Sequence, residues 1–118
     1  MSEDGADDQV ADILSVLEDQ YTRTILMETS IEPMSAQKLA DRCDVADSTI
    51  YRRIERLQEH DLIAESQVLD PDGHHHKEYR ARLDHVTVDL ERGKFSVDVA
   101  RLKEDPVDRF TRLYEGLR

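Results

Sequence analysis

The stretch from Ser35 to Ile63, SAQKLADRCDVADSTIYRRIERLQEHDLI, leaves this chain the fewest choices. Leu39, Ala40 and Cys43 give one apolar stripe at helical spacing, and Ile50, Ile54 and Leu57 give a second, so two amphipathic helices are predicted. Ser35 and Asp47 are placed to cap them, each offering an oxygen to backbone N–H groups left unpaired in a first turn. Only Asp44-Val45-Ala46 remains to reverse the chain. So short a turn brings the helices together where Ala40 is small, with Val45 filling the angle between them. The pattern is that of a helix-turn-helix, whose second helix, about Asp47–His60, has the form that enters the major groove of double-stranded DNA. Asp44 stands where positive φ is needed and glycine is usual. Aspartate tolerates the left-handed region better than most residues, at some cost.

With the buried set assigned, an outward face follows. Thr49, Arg52, Arg53 and Arg56 fall at i, i+3, i+4 and i+7, with Ser48 and Tyr51 alongside. Hydroxyls and guanidinium groups can hold phosphates, and arginine can also grip a guanine edge with two hydrogen bonds. A solvated helix surface is the plain alternative, since arginine and glutamate mix freely on surfaces. Lys38, on the first motif helix, joins the candidate contacts.

Charge pulls the other way. Across 118 residues, 27 acids against 16 lysines and arginines give a net charge of −11. DNA-binding domains are usually basic, because phosphate contacts dominate affinity. The opening MSEDGADD carries four acids and no base, so removing it still leaves −7. Either the chain does not bind DNA, or it works in very high salt. At about 1 M salt the Debye length shrinks to roughly 3 Å, so distant acids scarcely repel a phosphate backbone while a local arginine face still attracts it. Abundant Asp and Glu, few Lys and no Trp favour the saline reading.

The length suits one domain with a modest core. No apolar run approaches the roughly 20 residues of a membrane span and no secretory signal is evident, so a cytoplasmic protein without membrane contact is expected. A single cysteine excludes an internal disulfide framework and a cysteine-based zinc cluster.

Residues 1–8 read as a disordered acidic tail. Val10, Ile13, Leu14 and Leu17 then mark an amphipathic helix, widened by Val16. A second helix carries Tyr21, Ile25 and Leu26 inward and ends before Glu32-Pro33, because the residue preceding proline avoids the helical region. After the motif comes a hairpin with arms Ile63–Leu69 and about Lys77–Leu83, turning through Asp70-Pro71-Asp72-Gly73. A hairpin directly after the second motif helix is a wing, about Ile63–Leu83 in all. Another hairpin, Val86–Glu91 with Lys94–Val99, turns at Arg92-Gly93. A two-residue loop there sets Leu90 opposite Phe95, Val88 opposite Val97 and Val86 opposite Val99, all on one face. Asp105-Pro106 then opens a last helix with the stripe Val107, Phe110, Leu113, Tyr114 and Leu117, which suits either the monomer core or a dimer contact. The expected class is α+β, a winged helix-turn-helix over 9–83 followed by an extension over 84–118 that is a candidate for dimerisation.

The runs DQYTRTIL from Asp19, PMSAQKLA from Pro33 and STIYRRI from Ser48, with DPDGHH from Asp70 and YRA from Tyr79, resemble the small ArsR-like winged-helix transcription regulators of salt-loving archaea. The resemblance covers about residues 10–100. It implies a homodimeric regulator and accounts for the acidity. Metal-sensing members of the wider family bind through paired cysteines on a DNA-binding helix, and here Cys43 is alone.

Three other chemistries have candidate residues or motifs. Cys43 suits either a buried core position or a redox switch. His74, His75 and His76 invite a metal reading, with Asp72 or Glu78 as a further ligand, yet consecutive strand residues point to opposite faces, so at most His74 and His76 converge. They fit better as a wing tip that meets the minor groove or backbone together with Lys77, Arg80 and Arg82. No catalytic constellation stands out: there is no glycine-rich phosphate loop, nucleophile elbow or HExxH. No enzyme activity, cofactor or metal is expected. The alternatives to a transcription regulator are a winged-helix protein-interaction module in a transcription assembly and a redox- or ligand-responsive sensor.

Overall fold

The computed structural model describes residues 2–102. Four helices, α1 (Ser2–Glu18), α2 (Gln20–Ile31), α3 (Ala36–Cys43) and α4 (Asp47–Glu59), precede four strands. The strands are β1 (Ile63–Val68), β2 (His76–Ala81), β3 (Leu83–Glu91) and β4 (Lys94–Arg101). They form two separate antiparallel hairpins, β1–β2 and β3–β4. This is the expected α+β, winged helix-turn-helix architecture. The expected terminal helix after Asp105 lies outside the described residues.

The helices begin and end for local reasons. Asp19 caps α2, accepting from the Thr22 N–H at 3.0 Å. Ser35 caps α3, accepting from the Lys38 N–H at 3.2 Å. Asp44 closes α3 in the left-handed region at φ 56°, ψ 49°, and its N–H reaches back to the Ala40 and Asp41 carbonyls, as the turn requires. Two expectations are corrected. Ala46, not Asp47, is the N-cap of α4, with no side-chain cap bond, and Asp47 is the first helical residue. There its carboxylate complements the positive end of the helix dipole instead of capping. Helix α1 starts at Ser2, inside the stretch expected to be a disordered tail.

Ile25, Leu39, Ile50, Ile54, Leu57 and Leu62 are fully buried at the centre of the core, which the wing completes with Ile63, Tyr79 and Ala81. Val45 and Cys43 pack against it half-buried. Leu14, expected inward, is 49% exposed, while Val16 is fully buried, so the α1 stripe runs through Val10, Ile13 and Val16. On α2, Tyr21 is only half-buried, and Thr22 and Thr29 take buried places beside Ile25.

A β-bridge adds to the packing that joins wing and body. The Met34 N–H donates to the Tyr79 carbonyl at 3.1 Å, and the Tyr79 N–H donates to the Met34 carbonyl at 2.8 Å, so the α2–α3 connection adds a third edge to β1–β2. The wing turn is built as expected: the Gly73 N–H reaches the Asp70 carbonyl at 2.9 Å and Gly73 takes φ 84°. The strands differ from the expected arms by two residues at most in the first hairpin, while β3 and β4 extend to Leu83 and Arg101. In the second hairpin Leu90–Phe95, Val88–Val97 and Val86–Val99 pair as predicted. Arg92 and Gly93 both take positive φ, 54° and 77°, which is a type I′ turn.

Candidate nucleic-acid interface

Helix α4 rests its Ile50–Ile54–Leu57 stripe on the core, so everything else on it is sorted by angle from that line. Ser48, Tyr51 and Arg52 are exposed near its N-terminal end, and Glu55 and Glu59 are exposed further along. Thr49 is half-buried. Arg53 and Arg56 do not share the outward face. The Arg53 guanidinium meets Asp19, with Nη2 at 3.0 Å and Nε at 3.2 Å from Oδ2, and lies 5.8 Å from the ring centre of Tyr21. Arg56 donates through Nη2 to the Ser15 hydroxyl at 2.9 Å. The face expected to carry Thr49, Arg52, Arg53 and Arg56 is therefore divided. At 3.6 residues per turn, Arg53 lies roughly 60° and Arg56 roughly 120° from the direction of Ile50, on the flank that faces α1 and α2. Arg52 lies roughly 160° away and faces solvent.

Asp19 is more than a cap. Partial burial pushes its carboxyl up, but the Thr22 N–H, the Arg53 hydrogen bond and charge, and the Tyr21 N–H outweigh that, so it sits below the ordinary carboxylate value. One side chain thus starts α2 and fixes the flank of α4.

The remaining candidates flank the helix. Lys38 is exposed on α3 and paired loosely with Glu32 at 3.4 Å. On the wing, His74 and His75 are exposed in the turn, and His76 and Lys77 are exposed at the start of β2. His76 lies 3.3 Å from Glu78, and Lys77 lies 3.5 Å from Glu65 on the neighbouring strand. Arg80 sits deeper: it is half-buried, with one guanidinium nitrogen shielded from solvent. Arg82 turns to the body, donating to Asp61 at 2.5 Å. The structure therefore leaves Ser48, Tyr51, Arg52, Lys38 and the histidines of the wing tip exposed, and ties Arg53, Arg56 and Arg82 to other side chains. Among the described residues no three metal-ligating side chains converge, at the histidine run or elsewhere.

Sequence reading missed the clamp behind α4. Asp61 takes φ 57° just past the helix, and Arg101 of β4 donates to the His60 carbonyl at 2.8 Å and the Asp61 carbonyl at 3.0 Å. A guanidinium on the last carbonyls of a helix answers its negative end, so the second hairpin holds the end of α4. An acidic residue just past a helix, in an αL-tolerant position, was the available signal. Cys43 is half-buried, and burial, with Glu28 nearby, pushes its thiol above the ordinary value. A raised thiol pKa suppresses the thiolate on which redox sensing depends.

These elements define a winged helix-turn-helix domain. Residues 9–66 match a family model described as a helix-turn-helix domain, which runs from the middle of α1 through most of β1. That match supports a DNA-binding regulator. No curated protein matches the chain. Among the described residues no helix is long and apolar enough to cross a membrane.

Proposed function

We propose that this chain is a sequence-specific transcription regulator of the ArsR-like kind, working on double-stranded DNA as a homodimer in a salt-loving archaeon. The N-terminal half of α4 enters the major groove, with Ser48 and Tyr51 positioned for the backbone and Arg52 for a base edge. The wing, with His74, His75, His76 and Lys77, tracks the adjacent backbone or minor groove, and Lys38 approaches a phosphate. The observation that supports this most strongly is the exposure of Arg52 beside Ser48 and Tyr51 while the neighbouring arginines are tied down. Arg53 and Arg56 act as positioning residues that fix the helix rather than as DNA contacts. A twofold dimer would set two α4 helices about 34 Å apart, one DNA turn.

The acidic far half of α4, Glu55 and Glu59, favours the second reading, a protein-interaction module, because it repels phosphates. Selection of binding sites from random duplex DNA at high KCl separates the two. A regulator enriches a paired half-site motif, with protection from hydroxyl radicals on one DNA face. An interaction module enriches nothing.

A further inference from the structure

Between α1 and the second hairpin lies a cleft of about 320 Å³. Burial sorts its lining. Ile13 of α1 is 4% exposed and Val97 and Val99 of β4 are half-buried, so the inner wall is apolar. Asp12 and Asp98, one from α1 and one from β4, are exposed at the rim. Among the described residues no ion pair or hydrogen bond engages either carboxylate. His60 and Arg101 also line the cleft, and the Arg101 guanidinium is given over to the His60 and Asp61 carbonyls.

We propose that this cleft binds a small protonated primary amine with an apolar body. Three features select that class. Two unpaired carboxylates outnumber one guanidinium that is already engaged, and His60 caps the negative end of α4, which also favours a cation. The apolar inner wall suits an organic cation rather than a bare metal ion, and among the described residues no three metal-ligating side chains converge. No aromatic ring lines the cleft, so a quaternary ammonium finds no cation–π cage, whereas N–H donors make charge-assisted hydrogen bonds to carboxylates. The volume holds roughly ten water-sized groups, which sets the size of the ligand. An occupied cleft touches His60 and Arg101, the two residues that meet at the end of α4. The site needs only the fold, and it stands independently of DNA binding.

Phenethylammonium is the probe and its neutral isostere, 2-phenylethanol, the control, each titrated into the ¹⁵N-labelled full-length chain at one KCl concentration. Phenethylammonium should shift the amide signals of Ile13, Val97 and Val99 along a saturating curve and leave those of Leu39 and Ile50 in place. The alcohol should bind about tenfold more weakly, having lost the charge. Replacing both rim acids, Asp12→Asn with Asp98→Asn, should weaken phenethylammonium to a similar extent, and both side chains are exposed, so the fold tolerates the change. An equal response to the alcohol would reduce the cleft to an apolar crevice and overturn the proposal. Unsaturable shifts spread over the acidic surface would overturn it too, as would parent-like affinity in the doubly substituted chain. The comparison of amine with alcohol needs no variant, so it decides alone if the substituted chain fails to fold.

Discussion

Arg53 on α4 and Asp19 at the start of α2 form an ion pair 3.0 Å long across 34 residues of sequence. Both side chains are about a quarter exposed, so solvent screens the pair only partly. The same carboxylate caps α2, so the helix that supports the interface and the flank of the helix that presents it share one residue. The rotation of α4, and hence which residues face outward, is set by the buried Ile50, Ile54 and Leu57, and the pair braces its flank.

The pair should therefore show up in stability rather than in DNA recognition. Asp19→Ala loses cap and pair together and should cost about 1–2 kcal/mol, whereas Arg53→Ala should cost about 1 kcal/mol, discounted for partial exposure. In urea titrations the double variant should recover about 0.5–1 kcal/mol of coupling. Strict additivity would mean that the two side chains do not support each other.

Acid should reveal the same carboxylate. Because Asp19 is held below its ordinary value in the folded protein, its contribution is present above the unfolded carboxylate pKa. The contribution fades as pH falls below about 4 through the folded value. Asp19→Asn should thus be less stable than the parent at pH 6, and the gap should narrow toward pH 3. A gap that is constant with pH would place the stabilisation elsewhere.

Asp44 sits in the left-handed region at φ 56°, where a Cβ is unfavourable. Asp44→Gly should raise stability by about 0.5–1 kcal/mol without moving the helices, since glycine removes that cost. A thermal melt with a lower midpoint for the variant would show that the aspartate side chain contributes more than its backbone strain takes away.

The charge of −11 carries its own expectation. Screening of acidic self-repulsion should raise the melting temperature steadily from low to molar KCl. A flat or falling trend would remove high salt as the explanation for the acidity.

Much of this was written in local sequence. The Ser35 cap, the left-handed turn at Asp44 and the register of the second hairpin follow from side-chain chemistry within a few residues, and each is where the sequence put it. What sequence could not assign was the flank of α4. A stripe at i, i+3, i+4 and i+7 says that Thr49, Arg52, Arg53 and Arg56 are neighbours, but which way they point depends on where α1 and α2 lie, and Asp19 and Ser15 are distant in sequence. Leu14 and Tyr21 were misplaced for the same reason: a wide apolar stripe does not say which edge is covered. The acids at the N-terminus read as a tail on composition alone, while α1 begins at Ser2.

The most direct test of the interface is the affinity of Arg52→Ala for a selected duplex site, set beside Arg53→Ala and the parent at one KCl concentration by fluorescence anisotropy. The proposed function predicts a loss of about 1–3 kcal/mol for Arg52→Ala, roughly 5- to 150-fold, with its melting temperature unchanged. Arg53→Ala should lose stability and bind normally while folded. Parent-like binding by Arg52→Ala, within twofold, would contradict the reading of α4 as the recognition helix.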